Sequence, residues 1–382
     1  MQNSLVRVLL TIIGIIAIVL ITSHLFWRIK PSNELQLFVM NKTVSEHSIK
    51  HKSLFWLLNN EKYQRSDHDK KFYDYRKDYY GFLPVKPYKQ KDYTIRRVSI
   101  QEVDSIASRY QGGYYIDTYG FSFEDWYGDK NKKHLKLYGG LKQNDYLLFK
   151  LFYDQKKLLL AEYSFIDNTT SSLIRYKVEQ ITGIQSTGWI ARYFKELDPL
   201  RNEEITPEII SIYETRKNEK WKLSGPGFIL MKRTLEKIIV IPFDQDVENV
   251  VSLIASENMQ SHFNVPEKDA FLDWVEFVNT NSKNEVLANF HLANHPQLKS
   301  VLDSLNLPST YPAVLKCKDR PFYYFACEFS SYQPNIITSK FEGARFIQRY
   351  LETRKLNTAN KFYWDFYQPV VSGILKDYRS SY

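Results

Sequence analysis

The sequence LLLAEYSF at residues 158–165 indicates the fold of this chain. Its first four residues are apolar without alternation, which is typical of a strand buried on both faces of a sheet. Segments with helical periodicity come before it, at 143–156, and after it, at 170–182, where Gly183 ends the pattern. Strands that alternate with helices of this length favour an α/β fold with a parallel sheet.

The same alternation extends through the first two thirds of the chain. We therefore predict an α/β domain at 31–243, with a mostly parallel sheet covered by helices on both faces. A run of apolar residues in KIIVIP (237–242) fits a second strand buried on both sides. The remaining predicted strands are 34–40, 114–117 and 227–231, the last in a hairpin with 237–242. The remaining predicted helices are 49–59 and a helix that a capping box at 99–102 opens and that ends at about 109.

The order of strand-like and helical segments changes near residue 244, and we predict an α+β extension at 244–382 that packs on the first domain. Its strand-like segments are 270–278, 286–292, 313–318 and 322–329, and its helices are 296–305, 341–356 and 363–375. The helix at 341–356 is strongly amphipathic, with an apolar face formed by Phe341, Phe346, Ile347, Tyr350 and Leu351.

An apolar run at 8–26, VLLTIIGIIAIVLITSHLF, lies between Arg7 and Arg28 and contains no acid. Such a run spans about 30 Å of hydrocarbon, so we predict a transmembrane anchor at 5–27. A cleaved signal peptide is the alternative, but the run is long and no A-x-A-like site follows it. The positive-inside rule weakly favours a cytoplasmic domain. Because long domains translocate largely regardless of charge, we expect an extracytoplasmic domain on a single-pass anchor in the cell membrane.

Composition excludes several functions. The net charge of +9 falls to +6 once Arg7, Arg28 and Lys30 are removed, and the remainder is spread along the chain. Nucleic-acid binding requires a concentrated basic stripe or a known module, so we predict no nucleic-acid partner. Cys317 and Cys327 provide neither a disulfide framework nor a metal quartet, and two buried thiols are favoured over a disulfide. We predict no cofactor and no metal.

Ligands of open parallel sheets bind beyond the carboxyl ends of the strands. This rule selects Asp117 and Glu162 as a candidate catalytic carboxylate pair for glycoside cleavage, with Tyr119 and Ser164 as ligand-binding neighbours. The alternative is structural: Asp117 caps the following turn, and Glu162 pairs with an arginine, either Arg175 or Arg192.

Trp189 and Arg192, three residues apart, are further candidates for ligand binding. They could line the crevice and bind a sugar or an anion. Equally, Trp189 could pack in the core while Arg192 forms a structural ion pair. His291 and His295 have the spacing of a zinc pair, but the glutamate of H-E-x-x-H is missing and Pro296 disfavours a helix there.

Eight short motifs along the chain together form a recognisable pattern. They are KTVSEHSIKHKSLFWLLNN (42–60), DYYGFLP (78–84), YYIDTYG (114–120), YGGL (138–141), LLAEYSF (159–165), TGWIARYF (187–194), GPGFIL (225–230) and YYFACEFS (323–330). The pattern resembles a family of uncharacterised bacterial single-pass membrane proteins. The soluble part of that family is similar to the flavodoxin-like fold of class I glutamine-amidotransferase-like domains.

The resemblance implies an amidotransferase-like domain without its nucleophile. True amidotransferases place a cysteine at a sharp strand-to-helix turn, whereas no cysteine precedes Cys317 here. Without a thiolate at that turn no acyl intermediate forms there, so we do not expect glutamine hydrolysis. Two functions remain: a membrane-tethered cell-envelope binding or scaffold protein that holds an envelope polysaccharide or another envelope protein, and a carbohydrate-active enzyme that uses Asp117 and Glu162.

Overall fold

The computed structural model describes residues 2–46, 48–65, 71–128, 135–166, 168–234, 237–352 and 359–381, in which a long apolar helix precedes a mixed α/β domain. The helices are α1 (Gln2–Ile29), α2 (Lys52–Asn60), α3 (Val103–Arg109), α4 (Phe123–Tyr127), α5 (Gln143–Asp154), α6 (Ser172–Thr182), α7 (Pro207–Lys217), α8 (Glu257–Phe263), α9 (Pro296–Ser304), α10 (Ala344–Glu352), α11 (Ala359–Phe362) and α12 (Gln368–Ser380). A π-helical turn (Tyr363–Tyr367) joins α11 to α12, and short 3₁₀ turns lie at Tyr88–Gln90, Ile100–Glu102, Tyr163–Ile166 and Ile336–Lys340.

The strands form two larger sheets and two short ribbons. They are β1 (Asn33–Glu34), β2 (Leu37–Asn41), β3 (Tyr63–Gln64), β4 (Tyr80–Pro84), β5 (Tyr93–Arg96), β6 (Gly112–Asp117), β7 (Phe121–Ser122), β8 (Lys136–Tyr138), β9 (Leu158–Glu162), β10 (Ile184–Phe194), β11 (Gly227–Lys232), β12 (Ile238–Pro242), β13 (Val251–Ala255), β14 (Lys268–Ala270), β15 (Val275–Thr280), β16 (Asn284–Leu292), β17 (Thr310–Cys317) and β18 (Phe322–Phe325).

The main sheet has ten strands in the order β14-β13-β16-β17-β18-β9-β6-β2-β4-β5. Its centre is parallel, from β18 through β9, β6 and β2 to β4. Both flanks are antiparallel. The prediction of a mostly parallel sheet is therefore wrong about the share of parallel pairings: the centre of the described sheet is parallel, but the sheet as a whole is mixed. The physical reason is that strands from the C-terminal third pair with one another antiparallel and then join β9 at its free edge through β18.

The central strands are buried on both faces, as the pattern LLLA predicts. Leu158 and Leu160 belong to the core on one face, with α2, α8 and α12, while Leu159 and Ala161 belong to the core on the other face, with α3, α5 and α6. Helices thus cover both faces of the sheet.

A second sheet has the order β12-β11-β10-β15. The predicted hairpin is confirmed, since β11 and β12 are antiparallel neighbours. The prediction that KIIVIP is buried on both sides is wrong: β12 is an edge strand in which Ile239 and Val240 are only partly buried. β15 from the predicted extension pairs with β10 from the predicted first domain. Segments 31–243 and 244–382 therefore share both sheets.

The N-terminal helix carries a stretch, Val6–Ile29, that is long and apolar enough to cross a membrane or to serve as a signal sequence. Its large side chains are mostly exposed, whereas Trp27 near its end is buried. Thus the end of α1 is part of the folded domain. The predicted thiols are confirmed, since Cys317 and Cys327 are free and buried.

Candidate functional site

The carboxyl ends of β2, β6 and β9 meet at one edge of the main sheet, as the strand-end rule requires. Asn41 is paired with Asp117 across β2 and β6, and Glu162 is paired with Phe325 across β9 and β18. The loop after β18 brings Glu328 to the same edge. It is held there by a hydrogen bond from the Glu328 amide to the carbonyl of Trp274 (3.0 Å).

A single lysine joins two carboxylates at this edge. The Lys50 ammonium lies 2.6 Å from Asp117 Oδ2 and 2.6 Å from Glu328 Oε1. The side chains of Lys50 and Glu328 are 13% and 12% exposed, and that of Asp117 is 3% exposed, so the bridge lies just beneath the surface. We call these three residues the Lys50 bridge.

The Asp117 carboxylate also organises the turn that follows β6. Its Oδ1 accepts hydrogen bonds from the Thr43 hydroxyl (2.8 Å) and the Tyr119 amide (2.8 Å), and the Gly120 amide donates to Thr43 Oγ1 (2.7 Å). The capping role that the sequence offered for Asp117 is thus present.

The charges in the bridge have opposite effects on the two acids. Burial acts to raise the pKa of Asp117, but the charge and hydrogen bond of Lys50 outweigh it and hold that pKa below its ordinary value. Burial and the nearby charge of Asp273 raise the pKa of Glu328 to about 7, although Lys50 opposes them. Burial acts to lower the pKa of Lys50, but Asp117 and Glu328 together raise it. The bridge therefore contains an ionised aspartate beside a glutamate that titrates near neutrality.

Glu162 is sealed inside the protein. It is fully buried. Its Oε1 accepts a hydrogen bond from the Tyr114 hydroxyl (2.7 Å), and its Oε2 accepts from the amides of Phe329 (3.1 Å) and Ser330 (3.2 Å). Burial raises its pKa to about 8, partly offset by these hydrogen bonds. Glu162 therefore holds the loop that carries Glu328. Within the described ranges its carboxylate forms no ion pair with an arginine, in contrast to the alternative that the sequence offered.

The predicted ligand-binding residues do not lie together in the structure. Ser164 is buried, and its hydroxyl donates to the carbonyl of Ile116 (3.2 Å). Trp189 is buried in the core on β10. Arg192 makes ion pairs with Glu204 (2.7 Å) and Asp273 (3.3 Å). Only Tyr119 borders an open cleft.

That cleft has a volume of about 970 Å³ and lies between the turn after β6, α4 and α7. Tyr119 is part of its wall: the ring lies 3.8 Å from the Lys136 ammonium, and the hydroxyl is 3.4 Å from Glu208 Oε1. We call it the Tyr119 cleft. Its polar lining includes the hydroxyl side chains of Ser122, Thr169, Thr206, Ser211, Thr215 and Thr234 and the charged side chains of Glu124, Asp125, Lys136, Glu208 and Arg216.

Sequence reasoning missed Lys50 and Glu328. Lys50 falls near the start of the helix predicted at 49–59 and lies 67 residues from Asp117, and Glu328 lies in a loop after the last strand to join the sheet. The motif YYFACEFS contains Glu328, but nothing in it distinguishes that acid from a surface residue. Among the described residues, no three His, Cys, Asp or Glu side chains are placed to hold a metal ion.

Comparison with known proteins adds little to this geometry. No family model matches the sequence. No curated protein is significantly similar to it. Among solved structures, a ThuA-like protein from Bacteroides uniformis is similar over 87% of this chain and 97% of its own, with 8% identity and a TM-score of 0.37. That likeness is too distant to transfer residues or activity, so membership of an amidotransferase-like family stays a prediction.

Proposed function

We propose that this chain is a membrane-tethered cell-envelope binding or scaffold protein, and that the Tyr119 cleft holds a sugar-like ligand of an envelope polysaccharide. The observation that carries the proposal is the chemistry of the cleft wall. Hydroxyl and charged side chains surround one tyrosine ring in a volume of about 970 Å³, which suits a ligand that combines hydroxyl groups with an apolar face.

Three features favour binding over catalysis. Glu162 has no access to a ligand. Asp117 is held by Lys50. Both thiols are buried, and burial raises the pKa of Cys327, which lowers its nucleophilicity near neutral pH. The described residues of the site therefore offer contacts for a ligand, but the carboxylates and thiols named here are not available as nucleophiles.

The test is a binding measurement on the full chain in detergent against an array of bacterial envelope glycans. We expect retention of a subset of glycans and a loss of affinity of about tenfold in Tyr119→Ala. Tyr176→Ala is the matched control, since Tyr176 is an exposed tyrosine on α6 outside the cleft. Equal retention by the two variants, or no glycan retained by the parent chain, would reject the proposal.

A second candidate is a carbohydrate-active enzyme, and one observation favours it. Within the Lys50 bridge, the pKa values of Asp117 and Glu328 are pushed in opposite directions, which is the pattern of an acid/base pair. Glu328 then replaces Glu162 as the second carboxylate of the candidate pair. Release of reducing ends from purified envelope polysaccharide, abolished in both Asp117→Asn and Glu328→Gln, would establish this activity. Turnover that survives both changes would place it elsewhere.

We also propose that the domain lies outside the cytoplasm. The support is the apolar helix at the N-terminus, the one candidate span within the described residues, which the domain follows directly. A reporter fused after residue 382 tests it: periplasmic or surface reporter activity is expected, and a cytoplasmic signal would reverse the orientation.

A further inference from the structure

Helix α10 presents an exposed apolar face. Phe346, Ile347, Tyr350 and Leu351 are 72%, 57%, 57% and 60% exposed, although the sequence places them on one side of an amphipathic helix. Ile337, just before this helix in the chain, is 66% exposed as well. An exposed apolar stripe of this kind on a domain surface is typical of an interaction site.

The apolar face starts where the anchor enters the domain. Ser23 and Glu342 form two hydrogen bonds, from the Ser23 hydroxyl to the Glu342 carbonyl (2.7 Å) and from the Glu342 amide to the Ser23 carbonyl (3.2 Å). His24 Nδ1 lies 2.9 Å from the carbonyl of Lys340. Ser23 precedes Ile29 by six residues, which is about 9 Å along the helix axis. Residues 340–342 are therefore level with the last turns of the apolar span.

A basic cavity of about 330 Å³ lies between the anchor exit and α10. Lys30, Arg345, Lys376 and Arg379 line it together with two acids, Glu61 and Glu342. Lys30 pairs with Glu342 (3.2 Å) and Lys376 with Glu61 (3.6 Å).

The two arginines of this cavity carry its excess positive charge. Neither Arg345 nor Arg379 forms an ion pair within the part of the chain that the structure describes. Burial lowers the pKa of Arg345, although Glu61 opposes this, and a guanidinium stays protonated at neutral pH. The excess charge thus faces the same side of the domain as the apolar stripe.

We propose that α10 lies in the bilayer interface and that the basic cavity binds the headgroup of an anionic phospholipid. The inference rests on the proposed membrane tether. It commits to lipid as the occupant because the anchor exit and the start of α10 are hydrogen-bonded to each other. Interfacial helices bury their apolar face about 5 to 10 Å into the headgroup boundary, a depth comparable with the distance of about 9 Å between Ser23 and the end of α1. The chain then contacts the membrane at two elements, the span and α10.

Site-specific probes on the full chain in nanodiscs test the helix. An environment-sensitive fluorophore is attached to Leu351→Cys and, as a matched control, to Leu173→Cys on α6, because both leucines are 60% exposed. The native thiols are buried and do not compete for the label. We expect a blue-shifted emission and quenching by brominated lipid at 351, with neither at 173. Aqueous emission at both positions would overturn the proposal, and so would energy transfer between two copies labelled at 351.

The cavity is tested by lipid composition. Phosphatidylglycerol added to phosphatidylcholine nanodiscs should strengthen quenching at 351, and Arg345→Gln and Arg379→Gln should each weaken this preference about fivefold. An unchanged preference in both variants would remove the headgroup from the proposal. Displacement of the phosphatidylglycerol effect by inorganic phosphate alone would show a free-anion site instead.

The outcomes separate this inference from the function on which it rests. A chain that carbonate extracts from membranes would refute the tether and α10 docking together. A chain that resists carbonate but has aqueous emission at 351 would refute only the docking.

Discussion

Trp27 donates its indole N–H to the backbone carbonyl of Asn59 at 3.2 Å, which ties the end of α1 to the end of α2. The ring is 4% exposed and packs against Phe72 with a centroid distance of 5.2 Å, while the Lys62 ammonium lies 5.3 Å from it. Helix α1 therefore joins the domain through a buried aromatic contact.

The first prediction concerns this contact. Trp27→Ala should lower the free energy of unfolding of the full chain in detergent by about 3 kcal/mol, because it leaves a cavity under Phe72. Trp27→Phe retains most of the packing and should cost about 1 kcal/mol for the lost hydrogen bond. Phe26→Ala is the control, since that ring is 58% exposed. Urea denaturation measures all three, and an equal cost at positions 26 and 27 would contradict the prediction.

The second prediction concerns the Lys50 bridge. Lys50→Met leaves two carboxylates facing each other near the surface, which should cost about 3 kcal/mol at pH 8. The cost should shrink at pH 5, because the pKa of Glu328 is already raised to about 7 and its protonation removes the repulsion. Urea denaturation at the two pH values measures this.

Two variants serve as controls for the bridge. Adding Glu328→Gln to Lys50→Met should recover part of the loss at pH 8. Lys77→Met removes a lysine whose side chain is 71% exposed, and we expect almost no effect. A loss in Lys50→Met that does not depend on pH would show that packing, rather than charge, is what Lys50 contributes.

The third prediction is a pH dependence that arises from Glu162. Its pKa is about 8 in the folded chain and near 4.5 ordinarily, so between these values the folded state binds a proton that the unfolded state has released. By linkage, its contribution to stability is complete below pH 4.5 and is lost as the pH rises through 8.

Glu162→Gln mimics the protonated acid and should flatten this dependence while leaving the fold intact. Glu162→Ala removes the acceptor of the Phe329 and Ser330 amides and should cost about 2 kcal/mol. Denaturation series from pH 4.5 to pH 8.5 measure both. If the parent chain and Glu162→Gln lose stability in parallel, the raised pKa is not responsible.

The fourth prediction concerns the turn that shapes the Tyr119 cleft. Gly120 has φ +83°, and a Cβ there would lie 1.9 Å from the carbonyl oxygen of Tyr138. Gly128 has a similar φ of +76°, and no atom of the described residues would lie within 4 Å of a Cβ there. Gly128→Ala should therefore cost only the backbone strain of about 1 kcal/mol, whereas Gly120→Ala should cost clearly more and weaken glycan retention. Similar stabilities for the two variants would show that the contact between this turn and β8 relaxes easily.

The sequence alone predicts those features of the fold and of the site that depend on a single strand or helix. The run LLLA predicts a strand buried on both faces because no polar residue interrupts it, and the end of β6 placed Asp117 at the site. KIIVIP shows the same pattern but forms an edge strand with β11 as its neighbour. It is only partly buried, because α7 packs on part of its apolar surface. A local pattern does not tell which strand will lie beside it.

The remaining parts of the site depend on topology. Lys50 and Glu328 meet because β18 joins the sheet next to β9, a parallel pairing between residues more than 150 positions apart in the chain. The apolar stripe of α10 is a second example of what a local pattern leaves open. The helix was predicted, but its amphipathic pattern does not indicate what packs on the apolar face.

Helix α2 sets the distance between these two regions. Asn59 near its end contacts Trp27, whereas Lys50, two residues before its start, holds the bridge at the opposite edge of the sheet. Its nine residues span about 13 Å. With α1 as the proposed membrane anchor, these contacts would hold the Lys50 bridge at a constant height above the lipid headgroups. The bridge would then be reached by molecules that project from the surface or diffuse along it, and a group embedded in the bilayer would stay beyond its reach.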